Sequence, residues 1–309
     1  MPEQTSAPFR GVFPVAPTPF LDNGDIDFEG QRRVLDCMID QKVDGICILG
    51  NYSEQFSLTD AERTELVELC LGHVGGRVPV IVTCSHFSTR IAAERAALAA
   101  RAGADMVMLM PPYHGNGLRA DTNLFVEHFS IVSEAAGIPI MYQDAPLSGV
   151  SISPEGLADL AKTVPDVRYF KIEVPFAAAK LRNLIAAGAG AIDGPFDGEE
   201  SITLMADLDA GATGTMCSAL LPELVREVVI AHKAGDRQGA LRHYNRILPL
   251  ISHENRQCGL RAAKAAMAEG KVIRSEHVRH PLDVLHPQTR AGLIELGREL
   301  DLVSLRWGY

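Results

Sequence analysis

VPVIVTCSHFSTRIAAERAALAARAGADMVMLM, residues 78–110, carries two short apolar runs on either side of an Ala/Leu/Glu/Arg-rich segment. The first run, VPVIVTCS (78–85), ends in serine, and the second, ADMVMLM (104–110), ends before a proline. The segment between them is built from strong helix formers. Gly103 closes it where a left-handed residue is wanted. Strand, helix and strand in that order form the repeating unit of a parallel sheet.

The same alternation extends in both directions. Upstream lie GVFPVAPT (11–18) and DGICILG (44–50); downstream lie IPIMYQ (138–143), VRYFKIE (167–173), GAGAIDG (188–194) and GATGTMCS (211–218). Thr59 with Glu62 makes a capping box, and Ser153 followed by Pro154 marks another helix start. Gly137 and Gly188 are expected to end helices, as Gly103 does. Eight strand–helix alternations are the count that closes a sheet on itself, which predicts a (β/α)8 TIM barrel over residues 1–221. An open doubly wound sheet is the competing architecture, and the absence of G-x-G-x-x-G after the first strand weakens it. From residue 222 to 309 the strand signals stop. That segment reads as a C-terminal helical extension packed on the barrel within one structural unit.

Composition narrows the function classes. The 309 residues are 47% hydrophobic and 22% charged, the balance of a globular protein with a sizeable core. A formal charge of −10, from 29 basic and 39 acidic residues, argues against nucleic acid or an anionic membrane surface as partner. No apolar run reaches membrane-spanning length. The six cysteines are scattered without a C-x-x-C pair, which suits reduced thiols in a core better than disulfides or a zinc site. The N-terminus MPEQTSAPFRG lacks a signal-peptide pattern, so a cytoplasmic location is expected.

Within VRYFKIEV (167–174) a lysine interrupts a strand otherwise rich in β-branched and aromatic residues. Alternation puts Val167, Tyr169, Lys171 and Glu173 on one face and Phe170 and Ile172 on the other. Helices cover the outer face of a barrel, so Lys171 is expected to point inward near the C-terminal rim, where such barrels keep their active sites. On the preceding strand Tyr142 holds the corresponding late position and is expected beside Lys171 as a proton relay. Desolvation favours a neutral amine, which can attack a ketone and form a Schiff base. The plainer alternative is a lysine paired with Glu173 at the strand end.

With these residues in view, the chain resembles the dihydrodipicolinate synthase / N-acetylneuraminate lyase family of Schiff-base barrel enzymes. PVAPTPFLDNGDID, GICILGNYSEQFSLTDAER, MPPYH, IPIMYQDAP and YFKIE carry the resemblance over nearly the whole length. It implies that Lys171 is the imine-forming lysine and Tyr142 the proton-relaying tyrosine. It also implies that Tyr113 reaches into a neighbouring subunit's site, hence a homo-oligomer built as a dimer of dimers. Gly50, Asn51, Tyr52, Ser53 and Glu54 stand where the family binds an α-keto acid carboxylate. In GNYSE, Asn51 and Tyr52 replace small hydroxyl residues, no arginine follows Tyr142, and Ile172 separates Lys171 from the next acid. These departures argue against the synthase activity.

NYSEQF, SHFST, PPYHG, QDAP, GPFDGEE and HENRQ together are similar to a branch that dehydrates L-2-keto-3-deoxyarabonate. The implied reaction is loss of water from a five-carbon 2-keto-3-deoxy acid, giving α-ketoglutarate semialdehyde without any cofactor or metal. Asn51, Tyr52, Ser53, His86, Gln143, Glu173, Gly194 and Asp197 are the expected substrate contacts. His114, which follows Tyr113, and Asp144, which follows Gln143, are further acid candidates. In GPFDGEE, Asp197 is alternatively an N-cap, with Glu199 and Glu200 in the first turn of a helix. HVRHPLDVLH (277–286) lacks a third convincing metal ligand. The alternative activity is a class I aldolase that splits the same sugar acids to pyruvate and an aldehyde, and a non-catalytic sugar-acid sensor is the reading from another class.

Overall fold

A computed structural model describes residues 9–114, 118–119 and 124–309. Residues 1–8, on which the targeting expectation rests, lie outside the described residues. Parallel strands β1 (Gly11–Val12), β2 (Ile46–Ile48), β3 (Val80–Thr83) and β4 (Met106–Leu109) are followed by a small antiparallel pair, β5 (Tyr113–His114) and β6 (Leu118–Arg119). The main sheet continues with β7 (Ile140–Asp144), β8 (Val167–Ile172), β9 (Gly194–Asp197) and β10 (Gly214–Thr215). Its order is β1-β10-β9-β8-β7-β4-β3-β2, and all pairings are parallel. Val15 bridges both Cys47 and Ser218, which brings the two edges together and closes the sheet into the expected barrel.

Helices α1 (Phe28–Asp40), α2 (Asp60–Val74), α3 (Thr89–Arg101), α4 (Phe125–Ala136), α5 (Pro154–Thr163), α6 (Ala177–Gly188) and α7 (Leu204–Asp209) alternate with the strands. The punctuation read from the sequence fixes several of their ends. Thr59 and Glu62 form the reciprocal cap of α2, Ser153 accepts from the Gly156 amide, and Gly137 ends α4 in the left-handed region. Gly188 differs: it is the last residue of α6, and Ala189 takes the left-handed conformation. A Cβ at 188 would come within 2.4 Å of the Ile192 side-chain methyl, so a larger residue there would require Ile192 to shift.

Helix α8 (Pro222–Lys233) packs against β1, so it completes the barrel's outer ring; the expected division at 221/222 falls before that last helix. Beyond it come α9 (Arg237–His253), a π-helical turn over Glu254–Cys258, α10 (Arg261–Glu269) and α11 (Pro287–Glu299). Helix α10 is buried from Ala262 through Met267, which docks this extension onto the barrel. Among the described residues no helix is long and apolar enough to cross a membrane. All six cysteines are buried and unpaired.

Two separate apolar clusters record which way each strand residue faces. Phe13, Val15, Cys47, Ile81, Met106, Met108, Met141, Tyr169, Phe196 and Met216 fill the barrel interior. Ile140, Tyr142, Val167, Phe170 and Ile172 belong to the layer between sheet and helices. Val167 and Tyr169, two residues apart, therefore lie on opposite faces. A register shift explains it: Ile140 pairs with Val167 but Met141 pairs with Tyr169, leaving Arg168 as an extra residue in β8.

Candidate active site

Past the irregularity the β7–β8 register is regular, pairing Tyr142 with Phe170, Gln143 with Lys171, and Asp144 with Ile172. Lys171 faces the barrel interior, is 2% exposed, and donates from Nζ to Glu173 Oε1. Gln143 Nε2 donates to Glu173 Oε2 at 3.0 Å, so one carboxylate joins the two strands. Gln143 Oε1 is buried and has no partner among the described residues, an acceptor held open at the strand end. Burial lowers the lysine pKa, while the charges of Glu200, Cys47, Asp197 and Cys217 oppose that fall. The result is an amine shifted toward its nucleophilic form and touching a proton acceptor.

Tyr142 is not part of this group. Its side chain lies on the outer face, with its ring 5.8 Å from Phe125, 5.8 Å from Phe129 and 6.0 Å from Phe170. Its hydroxyl is buried without a partner, and burial, followed by the Asp144 charge, raises its pKa. Strand alternation makes this unavoidable. If Gln143 shares the interior with Lys171, its neighbour must point away. Asp144 also points outward and pairs with Lys180 at 2.7 Å, which removes it as an acid candidate.

The remaining expected residues divide. Tyr52 packs against the interior cluster, and its pKa is raised by burial and then by Glu200 and Glu254. It is therefore at the mouth with Lys171. Asn51 shares its turn, where Oδ1 accepts from Gln55 Nε2 at 2.7 Å. Ser53 Oγ donates to the Ala16 carbonyl at 2.6 Å and accepts from the Gly50 amide at 3.1 Å. That hydroxyl fastens the Gly50–Ser53 turn and has no proton left to give a carboxylate.

Gly194 lies low in the barrel, where a Cβ would meet the Tyr169 ring at 2.4 Å; it makes room for packing and does not reach the rim. Asp197 pairs in register with Ile172, so it faces outward, fully buried. It accepts from Thr215 Oγ1, and the carboxyl of Asp207 on α7 lies against it. Burial and that neighbouring charge raise the Asp197 pKa, so the pair holds a proton in the outer layer. Asp197 is neither an N-cap nor a substrate contact; Thr203 precedes α7.

His86 turns back on its own loop, with Nδ1 accepting from the Ser88 amide at 2.9 Å. With half-buried Tyr113 and exposed His114 it lines a cleft of about 320 Å³ whose wall does not include Lys171. The histidine-rich segment is structural where it is engaged: His286 Nδ1 caps α11 at the Gln288 amide, and the His277 carbonyl accepts from Lys264. Among the described residues no group of three His, Cys, Asp or Glu side chains is arranged to hold a metal.

Two residues that sequence reasoning passed over as catalytic belong to the site. Glu200 follows β9, is 7% exposed, and its Oε2 has no partner. Glu254 opens the π-helical turn, is 1% exposed, and its Oε1 is likewise unpartnered. Their segments, GPFDGEE and HENRQ, were visible; that the two meet depends on how the extension docks. A family model described as the dihydrodipicolinate synthetase family matches residues 8–296. The chain belongs to that family.

Members of the family similar to this chain include an L-2-keto-3-deoxyarabonate dehydratase from Azospirillum brasilense, 52% identical over 300 residues and covering 97% of each chain. Among solved family structures, a putative dihydrodipicolinate synthetase from Pseudomonas aeruginosa superposes with a TM-score of 0.88 at 28% identity, covering 94% of this chain and 99% of that one. A prophage family protein from Escherichia coli K12, YagE, solved in complex with pyruvate, gives 0.87 at 25% identity, covering 95% and 99%.

Proposed function

We propose that the chain is a hydro-lyase that removes water from L-2-keto-3-deoxyarabonate, through an imine on Lys171, and releases α-ketoglutarate semialdehyde. The observation that carries the reading is the interior triad of Lys171, Glu173 and Gln143. Near-full-length similarity to a dehydratase supports the choice of substrate.

The neutral amine of Lys171 attacks C2 and, with loss of the carbonyl oxygen as water, becomes an iminium. Glu173 takes the proton that the ammonium gives up, hands it to the carbinolamine hydroxyl as that leaves as water, and, a carboxylate again, is the base within reach of C3. Removing a C3 proton gives an enamine, whose electrons expel the C4 hydroxyl. Gln143 orients Glu173 through Nε2 and receives a substrate hydroxyl at Oε1. The turn from Gly50 to Ser53 receives the substrate carboxylate, with Asn51 and the ring of Tyr52 as its walls. Tyr113 completes a neighbouring copy's site in a dimer of dimers, and the six buried thiols suit a reducing, cytoplasmic setting. The chemistry needs no cofactor.

Incubation with L-2-keto-3-deoxyarabonate tests the reading. Semialdehyde should accumulate, and borohydride with pyruvate should trap an adduct on Lys171. Release of pyruvate would make the enzyme an aldolase, and failure to trap any adduct would leave a binding protein.

A further inference from the structure

The loop between β9 and α7, residues 198–203, leaves the C-terminal end of its strand at the barrel mouth. Side chains that hydrogen-bond in a ring hold it there. Ser201 Oγ and Thr215 Oγ1 are 3.0 Å apart. The Thr215 hydroxyl donates to Asp197 Oδ2, so Ser201 is the donor to Thr215. Thr203 Oγ1 donates to Asp207 Oδ2 at 2.6 Å. The Asp197 and Asp207 carboxyls are hydrogen-bond neighbours and close the ring between β9 and α7. Every link but this last one has a donor. Oδ1 of Asp197 and Oδ1 of Asp207 are buried, and among the described residues no donor reaches either. Both residues are 0% exposed, and two carboxylates sharing such a site cannot both stay ionised. One proton on the pair supplies the missing link.

The backbone inside the ring is strained. Glu200 and Ser201 take consecutive positive φ values of 51° and 67°, which non-glycine residues adopt rarely. Tyr244 Oη on α9 adds a bond to the Ile202 carbonyl at 2.5 Å. Charged and titratable groups face the pair from each neighbouring element: Lys171 on β8, Glu199 and Glu200 on the loop itself, Cys217 after β10, Arg182 on α6 and Tyr244 on α9. Burial raises the pKa of both carboxyls. At Asp207 the Thr203 hydroxyl, Asp197 and Arg182 oppose that rise, whereas at Asp197 the Asp207 charge adds to it. The proton therefore rests on Asp197, and Asp207 accepts. We propose that Asp197 and Asp207 are positioning residues: the proton they share closes the ring that holds loop 198–203 at the mouth, and its loss as pH rises leaves two like charges that release the loop.

Amide exchange of the loop tests this without a substrate. Wild type, Asp197→Asn and Asp207→Ala are compared by hydrogen–deuterium exchange from about pH 6 to about pH 9, each rate corrected for its intrinsic pH dependence. Wild-type protection of residues 198–203 should fall roughly 10–100-fold over that range, the effect of losing a hydrogen bond to a charged group. Asp197→Asn should hold its protection throughout, because the amide accepts from Thr215, donates to Asp207 and has no proton to lose. Asp207→Ala should exchange fast at every pH. It should also raise the half-saturating pyruvate concentration in borohydride trapping about tenfold while the maximal extent stays within about twofold, because β8 and Glu173 hold Lys171 without the loop. Wild-type protection that ignores pH, a decline shared by Asp197→Asn, or an unmoved half-saturating concentration in Asp207→Ala overturns the proposal. Should Asp207→Ala fail to melt cooperatively, the contrast between wild type and Asp197→Asn decides. The trapping arm rests on the imine reading; a wild type that traps no adduct strikes that reading, and the exchange result still decides the shared proton.

Discussion

Gln143, and not Tyr142, stands in register with Lys171 across β7 and β8, and the Glu173 carboxylate is bonded to both of their side chains. A tyrosine one residue away from the right position is on the wrong side of a sheet. The proton acceptor beside Lys171 is therefore a carboxylate, held in place by an amide.

Tyr142→Phe should leave dehydration within about threefold of wild type. The hydroxyl lies in the outer layer without a partner, so its removal also relieves an unsatisfied buried group. Stability should hold or rise by about 1 kcal/mol, readable as a small gain in Tm. A hundredfold loss of kcat with the melt unchanged would return Tyr142 to the chemistry.

Glu173→Gln and Gln143→Leu should separate base from orienter. Glu173→Gln keeps the shape but not the proton acceptor, so deuterium exchange into pyruvate should fall roughly 10²–10⁴-fold. Gln143→Leu leaves the acceptor in place and should cost closer to tenfold, with KM for the sugar acid rising. Equal losses in both variants would mean that orientation is the whole of Glu173's role. Lys171→Ala should abolish borohydride trapping altogether.

The order of elements, the closure at eight strands and the inward lysine were legible because each follows from local patterning. The face assignment of Tyr142 was not. Ile138, Ile140 and Tyr142 do share a parity, but parity does not say which face is inside. In β8 the extra Arg168 breaks the count, so Val167 is a false guide to the side Tyr169 and Lys171 occupy. Asp197 misled in the same way: its neighbour Phe196 takes the interior position. Glu254 lies far along the chain from Lys171. Its place at the mouth depends on how α9 docks, which no local pattern encodes.

The buried carboxyls tie stability to pH. Glu200 and Glu254 have folded-state pKa values of about 7 and about 8, above the ordinary 4.5. Between 4.5 and those values the folded state binds more protons than the unfolded one, so their contribution to stability falls as pH rises. Wild-type Tm should drop by several degrees between pH 5 and about 9, and Glu254→Gln, which mimics the protonated acid, should flatten the decline. A steeper decline in that variant would mean that Glu254 is charged in the folded state.

Lys264 ties the extension to the Asn51–Ser53 turn. Its ammonium is fully buried, donates to Glu54 Oε1 and to the His277 carbonyl, and lies 4.2 Å from the Phe20 ring centroid. Glu54 ends the Asn51–Ser53 turn in the left-handed region, φ 56°, and its other oxygen accepts from the Arg279 amide at 3.1 Å. Lys264→Met removes one charge of a buried pair and should cost about 3–5 kcal/mol, because the carboxylate left behind is desolvated. The displaced turn should also raise KM for pyruvate in the trapping assay more than it lowers the maximal extent. Adding Glu54→Gln should recover much of the stability, since the second change removes the orphaned charge. If the double variant is no more stable than Lys264→Met, the loss lies in packing around Phe20 and not in the uncompensated carboxylate.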